Sequence, residues 1–152
     1  STIVRTSWLY SEFNANFMKT MIRLGREKSE VRVIADQHGS PTYAVDLARG
    51  LWQMVAQLRG KPVKAATTEI YHFSNFGVTT WYDFSTAILG ITGLRTPVEP
   101  ILTDEYPLPT PRPAYSALWP RKFARDFRFP IRHWRTALVE AVNAFKQSEG
   151  AL

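Results

Sequence analysis

The chain has 152 residues, with 19 Lys plus Arg against 13 Asp plus Glu, three His and no Cys, for a formal charge of +6. A domain of this size buries about 70% of the surface its unfolded chain exposes, and 45% hydrophobic residues supply a sizeable core, so disorder is excluded as the expected state. The lack of Cys removes disulfides, thiol nucleophiles and Cys-ligated metals, while His38, His72 and His133 lie far apart, so no metal site is expected unless carboxylates supply the ligands.

Ser1-Thr2-Ile3-Val4 opens the chain without Met on a β-branched stretch that reads as a buried strand already under way, so an N-terminal portion is expected to be missing. After a loop from Trp8 to Asn16, Phe13, Phe17, Met21 and Leu24 recur at helical spacing and predict a helix over residues 13 to 28. Val31 to Ile34 reads as a short strand, and Asp36-Gln37-His38-Gly39-Ser40-Pro41 as a turn-rich loop. Asp46 is expected to open a second helix with Leu47, Leu51, Val55 and Leu58 on its apolar face, ended by Gly60, Lys61 and Pro62. Residues 63 to 67 read as a surface connection and Glu69 to Ser74 as a strand. Thr80 and Asp83 resemble a capping pair for a third helix, with Trp81, Phe84, Ile88 and Ile91 inward. Seven of the ten prolines fall between Pro97 and Pro120, which allows at most a short edge strand over residues 98 to 103. Trp134, Leu138, Val142 and Phe145 mark a closing helix.

Alternating strands and helices predict an α/β fold in which helices cover a mainly parallel sheet. Only three or four strands are countable, so the chain reads as the C-terminal part of a Rossmann-like sheet plus a smaller lobe. No glycine-rich dinucleotide turn, phosphate-binding loop, HExxH pair or GxSxG elbow occurs; Gly90 and Gly93 fall late in a helix and read as its stop. None of the six Tyr has a Lys four residues later, so the Tyr–Lys pair that protonates a carbonyl in many nicotinamide reductases is not in this chain. No run approaches the roughly 20 apolar residues a membrane span needs, and the chain reads as soluble and cytoplasmic with no membrane partner.

Four stretches in order carry a resemblance: Arg5-Thr6-Ser7-Trp8-Leu9-Tyr10; Asp36-Gln37-His38-Gly39-Ser40-Pro41-Thr42-Tyr43 leading into Asp46-Leu47-Ala48; Asn75-Phe76-Gly77-Val78-Thr79-Thr80-Trp81-Tyr82-Asp83-Phe84; and Arg112-Pro113-Ala114-Tyr115-Ser116-Ala117-Leu118. Together, over residues 2 to 147, they resemble the C-terminal half of the dTDP-4-dehydrorhamnose reductase family, extended short-chain dehydrogenase/reductases. The resemblance implies an NADPH- or NADH-dependent reduction of a dTDP-linked 4-keto sugar to dTDP-L-rhamnose. It also implies that the glycine-rich loop and the Tyr-xxx-Lys pair belong to an N-terminal half upstream and that this chain alone is inactive; whether the protein forms a homodimer is left open.

The resemblance puts Thr6 and Ser7, just past the first strand, beside the nicotinamide; a polar strand end is the plainer reading. Trp8 is similar to the family's sugar-contacting tryptophan, with a core tryptophan as the alternative. Asn16 matches a position that holds the nucleotide diphosphate, or is a helix cap. Arg112, between Pro111 and Pro113, is the residue expected to bind the diphosphate through its planar fork, with a solvated loop arginine as the alternative. Asp36, Gln37 and Gly39 are read as a structural turn.

Between Trp119 and Arg135 six cations, Arg121, Lys122, Arg125, Arg128, Arg132 and Arg135, meet only Asp126, so this window holds +5 of the formal +6. Interleaved aromatics allow a nucleic-acid surface. The favoured reading is a helix and turn with Phe123, Phe127 and Trp134 inward and the cations outward, and no nucleic-acid partner. A family relative acting as a regulatory subunit without catalysis is the other alternative; the regulatory beta subunit of methionine adenosyltransferase is the example.

Overall fold

The computed structural model describes residues 1–60, 68–106 and 110–150. Strands β1 (Thr2–Arg5) and β6 (Glu69–His72) pair in parallel, Thr2 opposite Glu69. Strands β3 (Val31–Ile34) and β8 (Val98–Ile101) form a second parallel pair, Val31 opposite Val98. Two-residue strands join the loops: β2 (Leu9–Tyr10) runs parallel to β5 (Thr42–Tyr43), and β4 (His38–Gly39) antiparallel to β7 (Thr79–Thr80). The predicted α/β class with parallel pairing is observed. Pro100 sits in β8, which pairs with β3 alone among the described residues, and such an edge tolerates a missing N–H.

Helix α1 (Phe17–Glu27) starts four residues later than its periodicity suggests, because the Asn16 side chain accepts the N–H of Lys19 and caps it. Phe13, counted on its apolar face, lies outside and is exposed. Helix α2 (Ala44–Leu58) begins two residues before Asp46; Leu47 packs inward as expected, but the later part of the expected face does not. Val55 and Leu58 are 55% and 40% exposed, whereas Asp46 and Gly50 are buried. Two contacts turn the helix this way. Asp46 is drawn inward by Arg132 (2.8 Å) and Asn75 (2.7 Å), and Gly50 admits the Phe73 ring, whose Cε2 lies 2.6 Å from where a Cβ would stand. The expected stop at Lys61 and Pro62 and the connection over 63 to 67 lie outside the described residues.

Helix α3 (Trp81–Thr92) is capped as predicted, Thr80 Oγ1 accepting the Asp83 N–H at 3.0 Å, and Gly93 ends it at φ 81°. A short helix α4 (Arg121–Asp126) and a long α5 (Trp134–Gly150) complete the fold. One core cluster joins α1, α3, α5 and β3 through Met18, Ile22, Ile88, Leu138, Val142 and Val33. A second holds Tyr71, Phe73, Phe123 and Phe127, with Val4, Leu47 and Met54 packed against it. Phe123, Phe127 and Trp134 are therefore interior, and the basic window carries its charge outside them. Among the described residues no helix is long and apolar enough to cross a membrane, and no group of three metal-ligating side chains occurs.

Candidate functional site

The carboxyl end of β1 is where an open α/β sheet presents residues to a ligand. Here the chain leaves the strand at Thr6 and Ser7 and is sewn to the loop before α2. Thr6 Oγ1 donates to Thr42 Oγ1 (3.2 Å), Ser7 Oγ to the Ser40 carbonyl (2.8 Å), and the Thr42 N–H to the Trp8 carbonyl (3.1 Å). These bonds hold Trp8 at φ 44°, a left-handed conformation uncommon for a bulky residue. They turn its indole into a cleft of about 660 Å³ that Ser7, Trp8 and Arg112 line together.

The floor of the cleft is apolar, formed by Phe17, Met21 and Leu24 of α1, Val31, Val33 and Ile101 of the β3–β8 pair, and Trp81 of α3. Its mouth is polar and cationic. Arg32 reaches it from β3 but is flanked by Glu99 (3.6 Å) and Glu105 (3.5 Å). Arg112 is exposed and forms no ion pair among the described residues. Its loop is fixed against β4, the His38 N–H donating to Ala114 and the Ser116 N–H to His38, both at 2.8 Å. The Asp36 carboxylate accepts the hydroxyl (2.7 Å) and N–H (3.1 Å) of Thr103, just past β8. The Thr103 hydroxyl, and then its N–H, keep the Asp36 carboxyl below the usual carboxylate range.

Of the residues singled out in the sequence, Ser7, Trp8 and Arg112 thus share one cleft. Thr6 is exposed just beyond its lining. Asn16 does not line it: the side chain caps α1 and donates to the Ser11 (2.8 Å) and Phe13 (3.1 Å) carbonyls, beside a separate groove between α1 and α5. Sequence reasoning missed the floor, which consists of ordinary core-type residues, and Tyr106 at the mouth, which had no motif around it. It also read Gly39 only as a turn former. A Cβ there would stand 2.3 Å from Cε2 of Trp8, so the glycine makes room for the indole.

The basic window forms no comparable site. Lys122 pairs with Glu69, Arg125 with Asp126, and Arg132 with Asp46 and Glu140. Trp119 is the exposed ring of that stretch, 62% accessible and covered on one face by Arg121 at 4.9 Å.

The family model described as the RmlD substrate binding domain matches residues 1–147. The chain belongs to this family. This RmlD substrate-binding domain is 45% identical over 140 residues to the spore coat polysaccharide biosynthesis protein SpsK of Bacillus subtilis, covering 92% of the chain and 46% of that protein. A crystal structure of a dTDP-4-dehydrorhamnose reductase from Clostridium acetobutylicum superposes with a TM-score of 0.84 at 36% identity, covering 95% of this chain and 49% of that one. The dTDP-4-dehydrorhamnose reductase of Bacillus anthracis, solved in complex with NADP, gives a TM-score of 0.80 at 35% identity, covering 92% and 47%. The domain therefore spans about half the length of the relatives it matches.

Proposed function

We propose that this chain is the substrate-binding half of an NAD(P)H-dependent dTDP-4-dehydrorhamnose reductase. The observation that carries the reading is the cleft itself, in which the Trp8 plate and the unpaired Arg112 flank an apolar floor at the carboxyl end of β1. A sugar ring presents C–H faces to an indole, and a diphosphate accepts two parallel N–H bonds from a guanidinium. Trp8 then seats the sugar and Arg112 the diphosphate. Asn16 keeps the first turn of α1 in place, and a direct contact with the diphosphate would require one of its backbone hydrogen bonds to open.

The residues at the end of β1 fit a nicotinamide cofactor: Thr6 is exposed and its hydroxyl, among the described residues, is engaged only with Thr42, and Ser7 follows it in the chain before the Trp8 plate. Thr6 and Ser7 would hold the nicotinamide, and NADPH or NADH would supply the hydride delivered to C4 of the sugar. The proton donor and most of the cofactor site belong to an N-terminal half. Two observations support this: relatives are about twice as long, and β1 pairs only with β6 among the described residues, with Ile3 46% exposed on its face. A homodimer in a cytoplasmic setting completes the proposal.

Calorimetric titration with dTDP-L-rhamnose tests it. The chain is expected to bind saturably, and Arg112→Ala to weaken binding about 10- to 100-fold, the loss of charge-assisted hydrogen bonds worth ~1.5–3 kcal/mol. The chain alone is expected not to oxidise NADPH when given the 4-keto sugar nucleotide. An Arg112→Ala variant with unaltered affinity would remove the diphosphate assignment, and turnover by the isolated chain would remove the need for a second half.

A further inference from the structure

Trp81 does more than fill the floor of the cleft. Its indole lies parallel to that of Trp8, ring centroids 3.5 Å apart and planes 9° from parallel. Phe17 supports Trp81 in turn, at 4.4 Å and tilted by 51°. Trp81 is the first residue of α3, directly after the Thr80 cap, so its backbone is fixed by the helix start. The Trp8 indole is thus bounded by a rigid aromatic stack on one side and by the backbone at Gly39, where a Cβ would come within 2.7 Å of Nε1. Its left-handed backbone gives it a direction, while these two neighbours set its plane and height.

We infer that Trp81 is a positioning residue that acts through Trp8: it fixes the plane of the indole that lines the cleft, and Gly39 provides the recess this arrangement needs. The inference rests on the proposal that Trp8 faces the sugar. An indole in an open cleft would otherwise have to be ordered when ligand arrives, and a preformed plate avoids that loss. Arg112 lies across the same cleft on a loop fixed by β4, so a tilt of the plate would uncouple the sugar from a diphosphate whose place is already set.

The test combines calorimetry using dTDP-L-rhamnose with far-ultraviolet circular dichroism, in which two stacked indoles give an exciton couplet. Trp81→Ala is expected to lose the couplet, keep its helical signal and bind about tenfold more weakly. Trp81→Phe, which keeps a ring against Trp8, should lose the couplet and retain most of the affinity. The double variant Trp8→Ala with Trp81→Ala should bind no more weakly than Trp8→Ala alone, because one residue works through the other. If Trp81→Ala fails to fold, Gly39→Ala carries the test: it retains both indoles, displaces Trp8, and is expected to alter the couplet and weaken binding similarly. A folded Trp81→Ala protein with unaltered affinity, or losses that add fully in the double variant, overturns the inference and leaves the cleft reading intact. Absence of saturable binding by the unmodified chain, or unaltered affinity in Trp8→Ala, instead overturns the cleft reading and this inference with it.

Discussion

Tyr10 is 2% exposed, packed between Tyr43 and Phe84, and its hydroxyl has no hydrogen-bond partner among the described residues. Burial, followed by the nearby Asp46 charge, pushes its phenol well above the ordinary tyrosine range, so the hydroxyl stays neutral but unsatisfied. Removing an unpaired buried polar atom while keeping the ring should stabilise, and Tyr10→Phe is expected to gain ~1–3 kcal/mol in denaturant unfolding. A lower midpoint would show that the hydroxyl is satisfied. This residue also marks what single positions reveal in a sequence. Trp8 stood out through the family resemblance of its stretch, and Arg112 through that of its own stretch together with its place between two prolines. Trp81 and Gly39 did not, since their roles come from contact with Trp8, across more than seventy and about thirty positions of chain, and spacing carries no such contact.

At the level of elements, an ion pair contributes to the orientation of α2, beside the close approach of Phe73 to Gly50. Arg132, beyond α4, donates to both oxygens of Asp46 at 2.8 Å and also pairs with Glu140 of α5. Asp46 side-chain exposure is 8% and that of Arg132 28%, so this pair is largely removed from water. Asp46, and then Glu140, raise the Arg132 guanidinium further above its ordinary range and hold it charged. Arg132→Met leaves buried Asp46 with Asn75 but without its two-bond cationic partner and is expected to cost ~3 kcal/mol, read from the chemical unfolding midpoint. Replacing Arg132 and Asp46 together by apolar residues should recover much of that loss. Helices α1, α3 and α5 were legible because their apolar periodicity coincides with their buried faces. For α2 the periodicity pointed to Val55 and Leu58, and a charge pair closing over 86 positions, with Phe73 against Gly50, rotated the helix away from them.

Across the whole molecule, several carboxylates are held below their ordinary range by hydrogen bonds: Asp36 by Thr103, Asp126 by Arg125, and Glu149 by Arg26. A carboxylate whose folded pKa is depressed contributes stability above its unfolded value and loses it as pH falls through the folded one. The melting temperature should therefore hold from neutrality down to about pH 5 and decline as the pH falls below about 4, the ordinary carboxylate range, modestly because these groups are exposed. Glu30 runs the other way, raised by its hydrogen bond to Glu99. Asp36→Asn is expected to flatten the acid limb, measured by thermal unfolding across pH. The class of the fold was readable from alternating strands and helices, but the division into two cores was not, because a count of elements does not say which faces meet.

The two main strand pairs have a consequence for how the chain comes into being. Thr2 meets Glu69 and Val31 meets Val98, so each ladder closes 67 positions downstream. Such non-local pairing carries a large loop-closure entropy, which places this topology among the slower folders. During synthesis at ~5–20 residues per second, β1 waits roughly 3–13 s before β6 exists to receive it. For that interval the edge of β1 that meets β6 stays unpaired, and Val4 waits for the Tyr71 and Phe73 side chains it packs against in the second core.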